Sequence, residues 1–315
     1  VVLTGSERKG NVAKGISLHV GINRVDPALF SAQELQGCEN DAIEMFRIAQ
    51  SRGFIAGEPI LGQNAKFERV QTAILNAAQE LQEGDVFLFT FAGHGSRRSD
   101  IDGDDDDFLD ETILLFDRIL VDDFLRRALW SQFRKGVRIV GVADSCHSGT
   151  ALLSSIEVST PAAAQAVVTG AEDFSRAGYS RQPQSPYYSE GTKPIGIPLT
   201  REISMEASNT HLERFTEVYE NLRATIPTGE AAKLKANLLT LAACKDSEKT
   251  PDGVPNGVFT RALLDVLSSS NPSASYDNLI RDIKRKLELA GRQQTPILKF
   301  AGPGQNFSGQ RPFSI

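Results

Sequence analysis

The sequence is poor in cysteine, in long apolar runs and in basic charge. Three cysteines, Cys38, Cys146 and Cys244, occur in 315 residues. They are too few and too scattered for a disulfide framework, and no two have the C-x-x-C spacing of a metal site. Reduced thiols in a cytoplasmic chain are the expectation. The longest clean apolar run, Val86 to Ala92, has the length of a strand and cannot span a bilayer. Lys and Arg number 34 against 40 Asp and Glu, a formal net charge of -6, the reverse of a general nucleic-acid binder. No N-terminal stretch joins a basic flank to an apolar segment and a small-residue cleavage site, so secretion has no support. Residues 1–14 read as a processed, disordered end.

Apolar residues make up 40% and charged residues 23%, which is ordinary globular composition with ample material for a core. One stretch departs from it. Asp100 to Glu111 packs eight acids into twelve residues. Much of the net charge is therefore local.

Strand and helix signals alternate along the first half. Gly15–Ile22 alternates and reads as a strand. Asp41–Phe54 has helical spacing, and Asn64 is placed to cap a second helix carrying Val70, Ile74, Leu75 and Leu81. Val86–Ala92 and Val137–Ala143 are apolar on both faces, hence central and parallel. A short extended piece is expected at Thr112–Phe116 and a helix over Val121–Phe133. The pattern predicts an α/β fold, a mostly parallel central sheet with helices on both faces. Residues 154–229 are rich in Pro, Ser, Gly and Thr and read as a linker or insertion, with one helix at 209–223. Order resumes in 230–315 with a strand at Ala236–Ala243, helices at Gly257–Leu267 and Ser275–Leu289, and a last strand at Gln294–Leu298. The resulting division is a catalytic part over 15–153, the insertion, and a smaller part over 230–315.

In parallel sheets, functional groups gather where strands end at their C-termini. Two such ends carry chemistry. Ala92-Gly-His-Gly95 puts an imidazole between glycines, sterically open. Asp144-Ser-Cys-His-Ser-Gly149 puts a thiol beside small residues. A thiolate is the nucleophile, and a nearby imidazole activates it, which is the Cys–His logic of covalent catalysis. A buried inert thiol is nevertheless the commoner fate of a single intracellular cysteine.

These two segments, in this order, resemble those of the caspase-like cysteine peptidases, and most nearly the metacaspases and orthocaspases. Gly21-Ile-Asn23, Gly37-Cys-Glu-Asn-Asp41, Asp107–Asp117, Val121-Asp-Asp123, Ala242–Asp246, Gly257-Val-Phe-Thr260 and Gln294-Thr-Pro296 resemble further family motifs, in family order. The likeness covers nearly the whole chain, and it overturns the inert reading of Cys146. It implies a cysteine endopeptidase with Cys146 as nucleophile and His94 as base and acid. The N–H groups of Gly95 and Cys146 would form the oxyanion hole. Asp41 and Asp144 would line the pocket for the residue before the cleaved bond, with Cys38 and Ala92 beside them. Ala92 stands where the family usually has Ser, so one polar contact is lost. Two buried acids accept guanidinium or ammonium and reject a carboxylate, so cleavage after Arg or Lys is implied. For Asp41, capping of the helix that follows is the competing role.

The acidic run does not follow an EF-hand, because Gly103 is misplaced and a strand precedes the loop. The resemblance implies instead a calcium site of Asp110, Asp122 and Asp123. Leu153 replaces its fourth acid, so calcium should bind weakly or not at all, and no cofactor is required. The family often cuts its own linker. Arg176, Arg181, Lys193 and Arg201 are the basic residues on offer, and Arg176 and Arg181 are preferred for lying among flexible polar residues. The expected partners are protein or peptide substrates with Arg or Lys at the cleaved position, with no nucleic acid and no membrane, and a monomer rather than a dimer. Two alternatives stay open: a non-catalytic interaction module with this fold, and a transpeptidase using the same acyl-enzyme.

Overall fold

The computed structural model describes residues 12–99, 109–146, 152, 199–269 and 273–315. In chain order the elements are β1 (Gly15–Gly21), α1 (Cys38–Ser51), β2 (Ile55–Ala56), β3 (Ile60–Leu61), α2 (Phe67–Glu80) and β4 (Val86–Ala92). There follow β5 (Gly95–Ser99), β6 (Leu109–Leu114), β7 (Ile119–Val121), α3 (Asp122–Phe124) and β8 (Arg138–Asp144). The last are α4 (Met205–Arg214), α5 (Thr216–Ala224), β9 (Asn237–Ala242), α6 (Val258–Leu267), α7 (Tyr276–Leu289) and β10 (Ile297–Ala301).

The main sheet has the order β10-β9-β8-β4-β1-β2, with β3 also paired to β1. All its pairings are parallel except that of β10 with β9. Strand β4 explains the architecture. Its side chains alternate between faces, and both faces are buried. Val86 and Leu88 join a core with Met45 and Ala49 of α1, Phe259 and Leu263 of α6, and Leu279 and Ile283 of α7. Phe87 and Phe89 point the other way, where their rings meet Trp130 and Phe133 at centroid distances of 5.0–6.3 Å. Each large apolar side chain fully buried in this way contributes about 1.5–3 kcal/mol relative to exposure.

Several elements differ from the sequence expectation. Helix α1 starts at Cys38, and Asp41 sits in its first turn without capping it. Helix α2 starts at Phe67 after Lys66, and Asn64 instead ends a short 3-10 turn. Residues 122–133 form one α turn, a π turn over Leu125–Leu129 and a 3-10 turn, so the apolar spacing there does not make one regular helix. The expected helix at 209–223 breaks at Phe215 into α4 and α5. The last strand begins at Ile297, past the Gln294-Thr-Pro296 segment. A second, antiparallel sheet of β5, β6 and β7 stands beyond the end of β4, where only the piece at 112–116 was expected.

Candidate active site

The register of the main sheet brings the two chemical strand ends together. Ala92 of β4 pairs with Asp144 of β8. His94 and Cys146 each stand two residues beyond that matched pair, on neighbouring strands. The Gly93 N–H reaches the Asp144 carbonyl at 3.4 Å, which keeps the two exits side by side. A Cβ on Gly95 would collide with the carbonyl of Cys146, so this close approach requires glycine.

His94 is buried, and its Nε2 lies 2.7 Å from the Gln33 carbonyl. A carbonyl only accepts, so Nε2 carries the proton and Nδ1 keeps its lone pair. Nδ1 has no hydrogen-bond partner among the described residues. Burial holds the imidazole below its usual pKa, against the Gln33 carbonyl, which favours the charged form. The ring is therefore a neutral base with one nitrogen anchored and the other free. Cys146 is buried as well. The Thr250 N–H points at its Sγ from 3.0 Å, and the thiol faces the Thr250 carbonyl at 3.6 Å. Burial pushes this thiol far above the ordinary range, so it rests protonated.

The most informative residue at the site is Arg201, which is completely buried. Its Nη2 donates to Asp41 Oδ2 at 2.6 Å and to Asp252 Oδ1 at 2.9 Å. Its Nε reaches the same Asp252 oxygen at 3.2 Å. Its Nη1 donates to the Asp144 carbonyl at 2.8 Å and lies 3.0 Å from Asp144 Oδ1. The rest of each carboxylate is tied to protein. Asp41 accepts from Asn256 Nδ2 and the Gly257 N–H, and Asp144 Oδ2 from the Thr260 N–H and hydroxyl. Asp252 accepts from the Gln36 N–H at 2.6 Å. Burial, with Asp144 adding to it, brings the Asp41 pKa up to about 6, against the opposing pull of the Arg201 guanidinium. A Cβ on Gly257 would fill the space of that guanidinium, so glycine leaves room for it. Cys38 and Ala92 are buried next to each other with Leu35. The Cys38 thiol feels the Arg201 charge and all three carboxylates, and burial holds it protonated.

The backbone of Arg201 is placed as deliberately as its side chain. Its carbonyl accepts from the Gly95 N–H at 2.9 Å and the Cys146 N–H at 3.3 Å. Its own N–H donates to the Thr250 carbonyl at 3.0 Å. Thr200 forms an antiparallel bridge with Pro251, and Glu202 a parallel one with Gly95. The segment 199–203 thus lies across the site as an added strand, with the Arg201 carbonyl held by the Cys146 N–H.

One loop, residues 244–257, supplies Thr250, Asp252, Asn256 and Gly257 to the site. Glu248 braces it by accepting from the Thr295 N–H at 2.6 Å and hydroxyl at 2.8 Å. Gln294 Nε2 ties down the Ala243 carbonyl at 3.1 Å. The Gln294-Thr-Pro296 segment is thereby a support for the pocket.

Arg176 and Arg181 lie outside the described residues, as does Leu153, and the arginine that occupies the cleft is Arg201. The Asp110 side chain also lies outside them. Asp123 gives one oxygen to Arg126 at 2.8 Å and the other to Arg127 at 3.1 Å. Both its oxygens thus face arginines, and among the described residues, which leave out the Asp110 side chain, no group of His, Cys, Asp or Glu is arranged to hold a metal ion. The sequence does not single out Asp252, Thr250 or the Gln33 carbonyl. All three lie in loops without hydrophobic period, and only the Pro251-Asp-Gly253 turn signal marks one of them.

A buried cysteine and a buried histidine thus stand at adjacent parallel strand ends, beside paired N–H donors and an acidic pocket. A family profile described as the caspase domain matches residues 14–308, and the chain belongs to that family of peptidases. Among curated proteins it is 27% identical over 300 residues to Metacaspase-1 of Kluyveromyces lactis, covering 89% of this chain and 65% of that protein. It is 27% identical over 290 residues to Metacaspase-1 of Schizosaccharomyces pombe, covering 86% and 64%. The chain thus spans just under two thirds of the length of these relatives. Among solved structures, protein GSU0716 from Geobacter sulfurreducens superposes with a TM-score of 0.72 at 30% identity, covering 96% of this chain and 99% of that one. Among the described residues, no helix is long and apolar enough to cross a membrane.

Proposed function

We propose that the protein is a cysteine endopeptidase that cleaves after Arg or Lys, and that the Arg201–Glu202 bond of its own chain is its first substrate. The observation that carries this reading is the pose of Arg201: side chain among three aspartates, carbonyl between two N–H donors. A residue held for structural reasons alone would satisfy its guanidinium. It would have no need to present its carbonyl to the nucleophile's own N–H.

The chemistry follows from the groups in place. His94 Nδ1 takes the Cys146 proton as sulfur attacks the Arg201 carbonyl carbon. The oxygen becomes an oxyanion between the Gly95 and Cys146 N–H groups, each such donor being worth about 2.7–4 kcal/mol. As the tetrahedral carbon collapses, the imidazolium gives its proton to the Glu202 nitrogen and the peptide bond breaks. The product is a thioester to Arg201 with a new amine at Glu202. Water then attacks the thioester, with Nδ1 again as base, freeing Cys146. The Gln33 carbonyl holds the ring through both proton transfers.

Specificity comes from charge and shape. An emptied pocket leaves three buried carboxylates without their cation, a costly state that a basic side chain relieves and an acidic one aggravates. Arg is preferred over Lys, because one planar fork reaches Asp41, Asp252 and the Asp144 carbonyl together. Until it is cut, the chain blocks its own pocket. Self-processing therefore precedes cleavage of other proteins.

The test is a set of fluorogenic peptides ending in Arg, Lys or Asp, incubated with the full chain and with Cys146→Ala. Wild-type cleavage in the order Arg, Lys and no Asp is expected, with none by the variant. Cleavage after Asp, or an active Cys146→Ala, contradicts the reading.

A further inference from the structure

The residues after the cleaved bond are held as firmly as those before it. The Ile203 N–H donates to the Gly95 carbonyl at 3.1 Å, and the Ser96 hydroxyl donates to the Ile203 carbonyl at 3.1 Å. Ile203 is buried, 5% exposed. With the backbone fixed on both sides of it, the Glu202 side chain has a set direction. It meets Lys249, whose Nζ lies 2.5 Å from Glu202 Oε2. Lys249 belongs to the loop that also carries Thr250 and Asp252, so the cation is tied in register to the nucleophile and to the pocket.

We propose that Lys249 forms a subsite that selects an acidic residue immediately after the cleaved bond. The preferred substrates are then peptides in which Arg is followed by Glu or Asp and then by an aliphatic residue. This rests on reading the Arg201 segment as a bound substrate. The cleft carries opposite signs on its two sides, three carboxylates before the bond and the Lys249 ammonium after it. A peptide with the charges in the order plus, minus fits it. One with two successive basic residues meets repulsion on the second. Lys249 stays 58% exposed and Glu202 20%, so water screens the pair and the preference is graded.

The test uses the full chain after it has cut itself and internally quenched peptides Leu-Thr-Arg-Xaa-Ile-Ser, with Xaa as Glu, Gln or Lys. An acetyl-Leu-Thr-Arg fluorogenic amide, which has no residue after the bond, runs alongside. The wild type should rank Glu above Gln above Lys, with about fivefold in kcat/KM between the extremes. In Lys249→Glu the rank should invert. Each comparison is a ratio within one preparation, so a general loss of activity does not obscure it, and the wild-type series stands even if the variant does not fold. Equal rates for the three peptides, with the amide cleaved, overturn the acidic subsite alone. No cleavage of the amide or of any peptide overturns the endopeptidase reading itself.

Discussion

The two sides of the Arg201–Glu202 bond are held by the same kind of contact, an ion pair, in opposite surroundings. Before the bond, a fully buried guanidinium meets three buried carboxylates. After it, a half-buried carboxylate meets an exposed ammonium. Coulomb's law is the same for both, but the first pair is beyond the reach of water and the second is not. Removing one partner of a buried pair strands the other in low dielectric, at about 3–5 kcal/mol. Removing one partner of an exposed pair costs about 0–1 kcal/mol. The contrast separates what the site requires from what it prefers.

Breaking the buried side should have the largest effect. Arg201→Met leaves three carboxylates without a cation, and should lower stability by about 3–5 kcal/mol and abolish cutting at this bond. Thermal or urea unfolding of the uncut Cys146→Ala background, with and without Arg201→Met, measures the first part. Glu202→Gln in the same background should cost no more than about 1 kcal/mol. Equal losses in the two variants would erase the distinction between the two sides.

Next in size is the pocket itself. Asp144→Asn keeps the shape but removes one charge, and should lower kcat/KM for Arg peptides by about a hundredfold, mostly through KM, if the lost pairing is about 3 kcal/mol. Steady-state kinetics on the self-processed chain reads this directly. A change confined to kcat would place Asp144 with the reacting atoms instead.

A gentler perturbation is pH. Arg binds the ionised form of Asp41, whose pKa with the guanidinium present is about 6. As pH falls through 6 the carboxylate takes a proton, the attraction weakens, and KM for Arg peptides should rise. Without the guanidinium the same group protonates more readily, so the free enzyme should feel the change at higher pH than the complex does. The Lys249–Glu202 side should contribute nothing in that window. A pH series on the peptides with Glu and Gln after Arg separates the two, because their ratio should stay flat while both KM values climb.

Much of this arrangement was legible in the sequence, and the reasons differ by element. β1, β4, β8 and β9 announce themselves as apolar runs because they are buried on both faces. The placing of His94 and Cys146 at adjacent strand ends needs no more than the parallel order and the two Gly-rich exits. The antiparallel sheet escapes because β5 reads Gly-Ser-Arg-Arg-Ser, with no apolar alternation, and its partner begins within the far end of the acidic run. The break at Phe215 escapes because the apolar spacing runs straight through it. In the structure that ring packs on His211, which also stacks on Phe30, and its backbone leaves the helical region. Asp252 and Lys249 are ordinary charged loop residues in the sequence, and only the pairing of Thr200 with Pro251 gives them a role.

Arg201 is the sharpest case. Compositional flexibility favours Arg176 and Arg181, which lie outside the described residues, whereas the proposed cut at Arg201 rests on an extended segment bridged to Pro251 and Gly95. The signal was present in the neighbours. Ile203 and Leu199 are apolar on either side of Thr200-Arg-Glu202, and Ser204 is a helix cap, its hydroxyl accepting from the Ala207 N–H at 3.2 Å. Together they mark a place where a strand can be pinned just ahead of a helix.

We propose the Arg201–Glu202 bond as the chain's own first substrate. Intact mass and N-terminal sequencing of the purified full chain after incubation test it most directly. A fragment beginning Glu202-Ile-Ser204, absent in Cys146→Ala, is the predicted result. A chain that stays whole while it cleaves Arg peptides, or new ends only at Ala177 or Gln182, would contradict it.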